Sequence, residues 1–401
     1  MRSLIIWVLS FVIAGLAAFS AVSGVAKNKN PAAAIAMGSQ NGLVLASQTQ
    51  VILQQEIIEN NGIVPGSFDA SSLTLAKTAF QHEPTAYQAV RFMAFVLASR
   101  ERENDARKLM QNTVRLTKRD RVANMWFVTD YGEKGDLKSV LHYYDLALRT
   151  NAESANLLFP LMAQALTEKK AIDPFKQMLS LNPPWAPDFW HRLARSPDSI
   201  ENASLLRMAQ QKDGMANPAD NDAAIIKLLV ANGKWEQAHK FFTALTTTRP
   251  SNSKAALQNQ SFGESSEYPP FDWEIFSSGE YGAVIDDSSG ALLVSALPKT
   301  QGLVARQLFR MDSGLYGLTV KSTDLEGPTK PLWKVVIRCA EKLMPKDVVL
   351  EKLIQTSNID ESFAVPPNPC EFFWIEVSVM DNGQGEGIDL SIRQIAVQKK
   401  S

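Results

Sequence analysis

The sequence predicts a two-part fold, helical hairpins first and an antiparallel β-sandwich second. Three observations carry that expectation: a helical phrase that occurs twice, a change of hydrophobic period near residue 267, and a polar stretch between the two regimes. A chain of 401 residues is too long for one ordinary core, so two folded parts fit its length. The apolar share of 45% and charged share of 21% are those of a globular protein. A net charge of −1 supplies no basic field, which argues against nucleic acid as a partner.

At the N-terminus, an uncharged apolar run extends from Leu4 to Ala26, between Arg2 and the lysines Lys27 and Lys29. Its length suits a single membrane span, and the small residues ending at Gly24-Val25-Ala26 also suit a cleaved export signal. Residues 1–30 are therefore set apart as an anchor or signal peptide. Either reading exports the rest of the chain, and the anchored one places it on the periplasmic side of a bacterial inner membrane.

Residues 31–250 read as helical repeats. Gly135-Asp136-Leu137-Lys138-Ser139-Val140 leads into Tyr144 and Ala147, and Gly233-Lys234-Trp235-Glu236-Gln237-Ala238 leads into Phe242, Leu245 and Pro250. A turn glycine, a small or β-branched residue five positions later, then an aromatic, is the spacing of the second helix of a tetratricopeptide-type (TPR-like) hairpin. Ala106 and Val140 stand 34 residues apart, the period of such repeats. Ala171, Phe175, Met178 and Pro183 fit a degenerate member. Lone aromatics in this half read as filler between helices. Stacked hairpins of this kind scaffold or bind, so a protein partner is expected for this half.

Residues 251–266 are polar and aperiodic and read as a linker. From 267 to 401 the period is two. In Trp333 to Cys339 every second residue, Trp333, Val335, Ile337 and Cys339, is apolar, and Tyr316, Leu318 and Val320, then Phe373, Ile375, Val377 and Val379, and Ile388, Leu390 and Ile392 alternate in the same way. Short alternating strands separated by turns such as Asp312-Ser313-Gly314 and Asp381-Asn382-Gly383 predict an antiparallel, jelly-roll-like sandwich. The two cysteines, Cys339 and Cys370, both fall here. An even pair in an exported chain, one member ending a strand and the other just preceding one, points to a disulfide, with two buried free thiols as the alternative.

Few residues suggest chemistry. His82, His142, His191 and His239 are scattered, with no metal-ligand spacing, and no phosphate loop or nucleophile elbow is present, so no catalytic residue, metal or cofactor is expected. Asp381 to Asp389 reads as a hairpin loop rather than a calcium loop, and the adjacent Asp286-Asp287 pair lacks the facing geometry of glycosidase carboxylates. Sugar binding needs an exposed flat ring beside polar groups. Trp374 is the first candidate, because its neighbours Phe373 and Ile375 would face the core and turn it outward, near Glu371 or Glu376. Packing under a loop or against the repeats is its alternative reading. Tyr281, in a Ser-Gly-Glu-Tyr-Gly stretch, is a second candidate, and Trp273 and Trp333 read as core.

The segments Leu181-Asn182-Pro183-Pro184-Trp185, Pro270-Phe271-Asp272-Trp273, Trp333 to Cys339, and Phe363-Ala364-Val365-Pro366 leading to Cys370 give the chain a further resemblance. It resembles bacterial envelope proteins that join a membrane segment, degenerate tetratricopeptide repeats and a sandwich similar to carbohydrate-binding modules. That resemblance implies a non-catalytic, membrane-tethered role in polysaccharide (exopolysaccharide) assembly or export, with a glycan or another envelope component on the sandwich. The alternative is an envelope scaffold that binds only protein.

Overall fold

The computed structural model describes residues 21, 25, 29–61, 64–212, 219–247, 256–324, 332–341, 348–355, 357–367, 370–380 and 387–400. The expected Leu4–Ala26 span, apart from residues 21 and 25, and the loop at 381–386 lie outside the described residues. Among the described residues no helix is long and apolar enough to cross a membrane. The chain forms two compact units, Met1–Leu158 and Phe159–Ser401.

The first unit is built from α1 (Pro31–Ala36), α2 (Gly42–Glu59), α3 (Ala70–His82), α4 (Tyr87–Ala98), α5 (Glu103–Leu116), α6 (Arg121–Glu133) and α7 (Leu137–Thr150). Successive helices pair as hairpins because each has one buried face. Phe92, Met110, Ala123 and Phe127 share a core between α4, α5 and α6. Phe127 stacks on Tyr143 of α7 with ring centres 4.5 Å apart. The turn after α6 needs Gly135, whose φ of +67° lets the Asp136 N–H return to the Tyr131 carbonyl at 2.9 Å. Asp136 then caps α7 by accepting from the Ser139 N–H at 3.1 Å. A buried ion pair ties this unit together: Arg91 of α4 meets Asp120, whose other oxygen accepts from the Ala123 N–H at 2.7 Å at the start of α6.

The second unit begins within α8 (Ser154–Ala165) and continues through α9 (Ile172–Leu179), α10 (Ala186–Leu193), α11 (Ile200–Lys212), α12 (Ala219–Ala231) and α13 (Trp235–Leu245). Gly233, with φ of +71°, makes the α12–α13 turn as Gly135 makes its counterpart. Ten strands follow. One sheet has the order β1 (Glu274–Ile275), β4 (Gln301–Arg310), β9 (Phe372–Met380), β6 (Trp333–Cys339), β7 (Val348–Ile354). The other has the order β2 (Tyr281–Asp286), β3 (Ala291–Ala296), β10 (Ile388–Lys399), β5 (Gly314–Asp324), β8 (Asn358–Val365). All pairings are antiparallel, and the chain crosses repeatedly between the sheets, which makes the expected sandwich.

Its core follows the predicted alternation. Trp333, Val335, Ile337, Phe373, Ile375, Val377, Leu390 and Ile392 all point inward, and Trp273 and Trp333 are fully buried. Cys339 and Cys370 are bonded, with Cα atoms 5.9 Å apart, tying the end of β6 to the approach to β9. Lys352 of β7 and Glu361 of β8 pair at 2.7 Å, joining an edge strand of one sheet to an edge strand of the other.

The linker expectation is corrected over 256–266. Leu257 and Phe262 are buried in the sandwich core, and the Ala256 N–H donates to the Val397 carbonyl at 3.1 Å. Gln307 receives the Gln258 N–H at 3.0 Å, so two isolated apolar side chains and a few backbone bonds hold an otherwise polar stretch in place. The helices nearest this stretch also belong with the sandwich. Phe242 of α13 stacks on Phe271 at 5.1 Å, and Lys227 of α12 reaches Glu274 at 3.1 Å.

Candidate functional site

Trp374 lies on the outward face of its sheet, as the alternation of β9 requires, opposite Leu308 of β4 and Arg338 of β6. It is nevertheless only 8% exposed. The Arg306 guanidinium covers the indole at 4.3 Å, within the range of a cation–π contact, and is itself held by Glu274 at 2.7 Å. The two carboxylates expected beside Trp374 are occupied as well: Glu376 pairs with Arg338 at 2.5 Å and Glu371 with Arg310 at 3.1 Å. The open stacking platform is therefore corrected to a roofed ring. Its cover comes from β1 and β4, which the local pattern around residue 374 does not reveal.

Tyr281 is the first residue of β2 and not a loop residue. Its ring packs against the sandwich core and lies flat on Gly302 of β4, where an added Cβ would sit 2.3 Å from ring carbons. That residue seals the space between the sheets, and Gly302 is needed because any side chain would collide with it. Trp374 and Tyr281 belong to different sheets and make no joint site.

Among the described tryptophans, Trp126 and Trp235 alone are part-exposed, and each lines a cleft. The reading of lone aromatics in the helical half as filler fits Trp126, which packs against the core of the first unit, but leaves out that both residues also line clefts. The available signal was spacing: Val122, Met125, Thr129 and Glu133 recur on one face of α6, with Trp126 beside them. That face overlooks a groove of about 640 Å³ floored by Phe95 and Ile57. Val122 and Met125 remain more than a third exposed there, while Trp126 packs on Phe127 at 5.0 Å.

One end of the groove is acidic. Asp130 pairs with Arg107 at 2.6 Å and with Lys134 at 2.7 Å, both through Oδ1, while Oδ2 is buried with no hydrogen-bond partner. Burial pushes the Asp130 carboxyl above its usual range, Arg107 opposes this, and the charges of Glu103 and Glu133 push it further up. Tyr143 behind them is raised to about 12, chiefly by burial, then by Tyr131 and Asp130.

The Trp235 cleft, about 480 Å³, lies between the start of α13 and the loops that carry Glu341 and Glu371. It is polar: Lys234 pairs with Glu201 at 2.7 Å, and Glu236 with Lys240 at 3.3 Å. Deeper in the same joint, His239 sits between the rings of Phe271 (5.5 Å) and Phe372 (5.8 Å). Burial holds its pKa below the ordinary histidine value, with Arg310 adding to the effect and Glu236 opposing it. Among the described residues no group of three or more His, Cys, Asp or Glu side chains is placed to hold a metal ion.

No protein-family model matches the chain, and no curated protein matches its sequence. Solved structures similar to it cover the sandwich. The second N-terminal cellulose-binding domain of a Cellulomonas fimi β-1,4-glucanase is 17% identical, covers 37% of this chain and 97% of its own, and has a TM-score of 0.25. A CBM4 structure is 15% identical, covers 36% of this chain and 99% of its own, with a TM-score of 0.28. TmCBM61, solved with β-1,4-galactotriose, is 13% identical over 37% of this chain and 100% of its own, at 0.27. Likeness at this level says nothing about what this chain binds.

Proposed function

We propose that this chain is a non-catalytic binding protein of the cell envelope: its helical unit docks a polypeptide and its sandwich unit engages a glycan or another envelope component. The observation that carries the reading is the part-exposed pair Val122 and Met125, beside the core-packed Trp126, above a groove lined by Glu103, Asp130 and Glu133 as well as Arg121 and Lys134. Exposed apolar side chains at helical spacing beside three carboxylates, of which Asp130 alone is paired with cations among the described residues, suit an amphipathic segment with a basic residue near one end. The Cys339–Cys370 bond supports an oxidising compartment, in keeping with export and with a periplasmic role in polysaccharide assembly.

The test is selection of peptides from a random displayed library on the full chain. Selected peptides are expected to carry spaced apolar residues with a lysine or arginine, and Met125→Glu should weaken them by roughly tenfold, about 1.4 kcal/mol. Selection of acidic peptides, or equal binding to Met125→Glu, refutes the docking assignment. A second reading, a scaffold that binds protein alone, draws support from the roof of Arg306 over Trp374.

A further inference from the structure

We propose that the cleft around Trp235 is the glycan-binding site of the sandwich unit and that it takes a neutral, hexose-rich oligosaccharide. The proposal rests on the glycan reading above and gives it a location that neither Trp374 nor Tyr281 supplies. A sugar ring presents C–H faces that pack on a flat aromatic and hydroxyls that need donors and acceptors around its rim. Trp235 is the part-exposed tryptophan of this unit, and the positive-φ turn at Gly233 leaves nothing bulky beneath its indole nitrogen. The indole N–H has no acceptor among the described residues, so it is free to donate to a ligand oxygen.

The rim of the cleft is built from paired carboxylates. Glu201 and Glu236 are held by Lys234 and Lys240, and Glu236 and Glu371 also meet Arg310 at 3.5 and 3.1 Å. Glu341 accepts the N–H groups of Glu371 and Phe372 at 2.9 and 3.0 Å. Each carboxylate thus already has a partner, yet it retains lone pairs that a hydroxyl can use. Four carboxylates against two lysines along the cleft disfavour an anionic glycan, and their existing partners leave no call for a cationic one. A neutral polyhydroxy ligand is the class that meets both conditions. The volume, about 480 Å³, falls in the usual range of small-ligand sites, about 300–1,000 Å³.

The experiment applies the full chain to an array of neutral hexose oligosaccharides, uronate-containing oligosaccharides and amino-sugar oligosaccharides. Retention is expected on neutral members, and Trp235→Ala should reduce it at least tenfold. Trp235→Leu, which keeps apolar bulk but not the flat ring, should lose retention to a similar degree while its melting temperature stays near that of the parent. Retention of the parent by no glycan overturns both this site and the glycan reading. Equal retention of the parent and a folded Trp235→Leu overturns the site and leaves the reading standing. Preference for uronate or amino-sugar members overturns the assigned ligand class.

Discussion

Truncating Trp374 to alanine tests the roofed-ring geometry directly. A tryptophan side chain covers about 150–250 Å². At about 25 cal/mol per Å² its burial is worth roughly 4–6 kcal/mol as an upper bound, and a compact unfolded state lowers this to about 3–4 kcal/mol. The Arg306 contact at 4.3 Å adds on the order of 1 kcal/mol, part of which survives because Arg306 keeps Glu274. The ring lies on a sheet face bordered by charged groups, so water can enter the vacated space and limit the cavity cost. Trp374→Ala should therefore cost about 3–4 kcal/mol. Equilibrium urea unfolding of the full chain, followed by far-ultraviolet circular dichroism, measures it. Two compact units permit two transitions, and the one that shifts on reduction of Cys339–Cys370 reports the sandwich. A loss below about 1 kcal/mol would mean that the ring is open to solvent and that the roof is absent, since exposed substitutions stay within about 0.5 kcal/mol.

Three other outcomes are expected. Thiol titration of the unreduced, unfolded chain should find no free thiol, and replacing both cysteines with serine should cost about 3–4 kcal/mol in the chain-entropy account for a 31-residue separation, read as a lowered urea midpoint. Arg91→Met should cost about 3–5 kcal/mol, because it strands the buried Asp120 carboxylate, whereas Arg91→Met combined with Asp120→Asn should recover part of the loss; thermal and urea unfolding check both. His239 is half-buried with a pKa held below the ordinary 6.5, so the unfolded chain takes up its proton first as pH falls. Stability from this group is therefore present above the unfolded value and is lost as pH drops from 6.5 toward the folded pKa. His239→Gln should flatten that part of the stability profile, and an unchanged slope would refute the assignment.

Alternation made the sandwich core legible, because a period of two assigns each residue a face and strands such as Trp333–Cys339 and Phe372–Met380 have one buried face. Spacing likewise placed Ala106, Val140, Tyr144, Ala238 and Phe242 in helix-packing positions, and all five are buried. What alternation does not encode is the cover on the other face. Trp374 was placed outward correctly, but Arg306 reaches it from a strand 68 residues earlier in the chain. Tyr281 looked like a loop residue because glycines flank it, and its partner Gly302 sits in another strand and leaves no mark in local pattern. Leu257 and Phe262 were hidden by polar neighbours, since two apolar residues in a polar run have no period to detect. The Trp235 cleft draws on α13 and on loops around residues 341 and 371, so proximity there follows from tertiary packing alone.

The bridge between Lys352 and Glu361 has a consequence for how the molecule behaves among its own copies. β7 and β8 are the outermost strands of their sheets, and a bare outermost strand invites a strand from a neighbouring molecule to extend the ladder. Here opposite charges from the two rims meet across the open side of the sandwich. An incoming strand would have to bury or separate that pair, losing its solvation without an equivalent contact in return. The rim thus opposes ordered self-association while leaving each sheet intact.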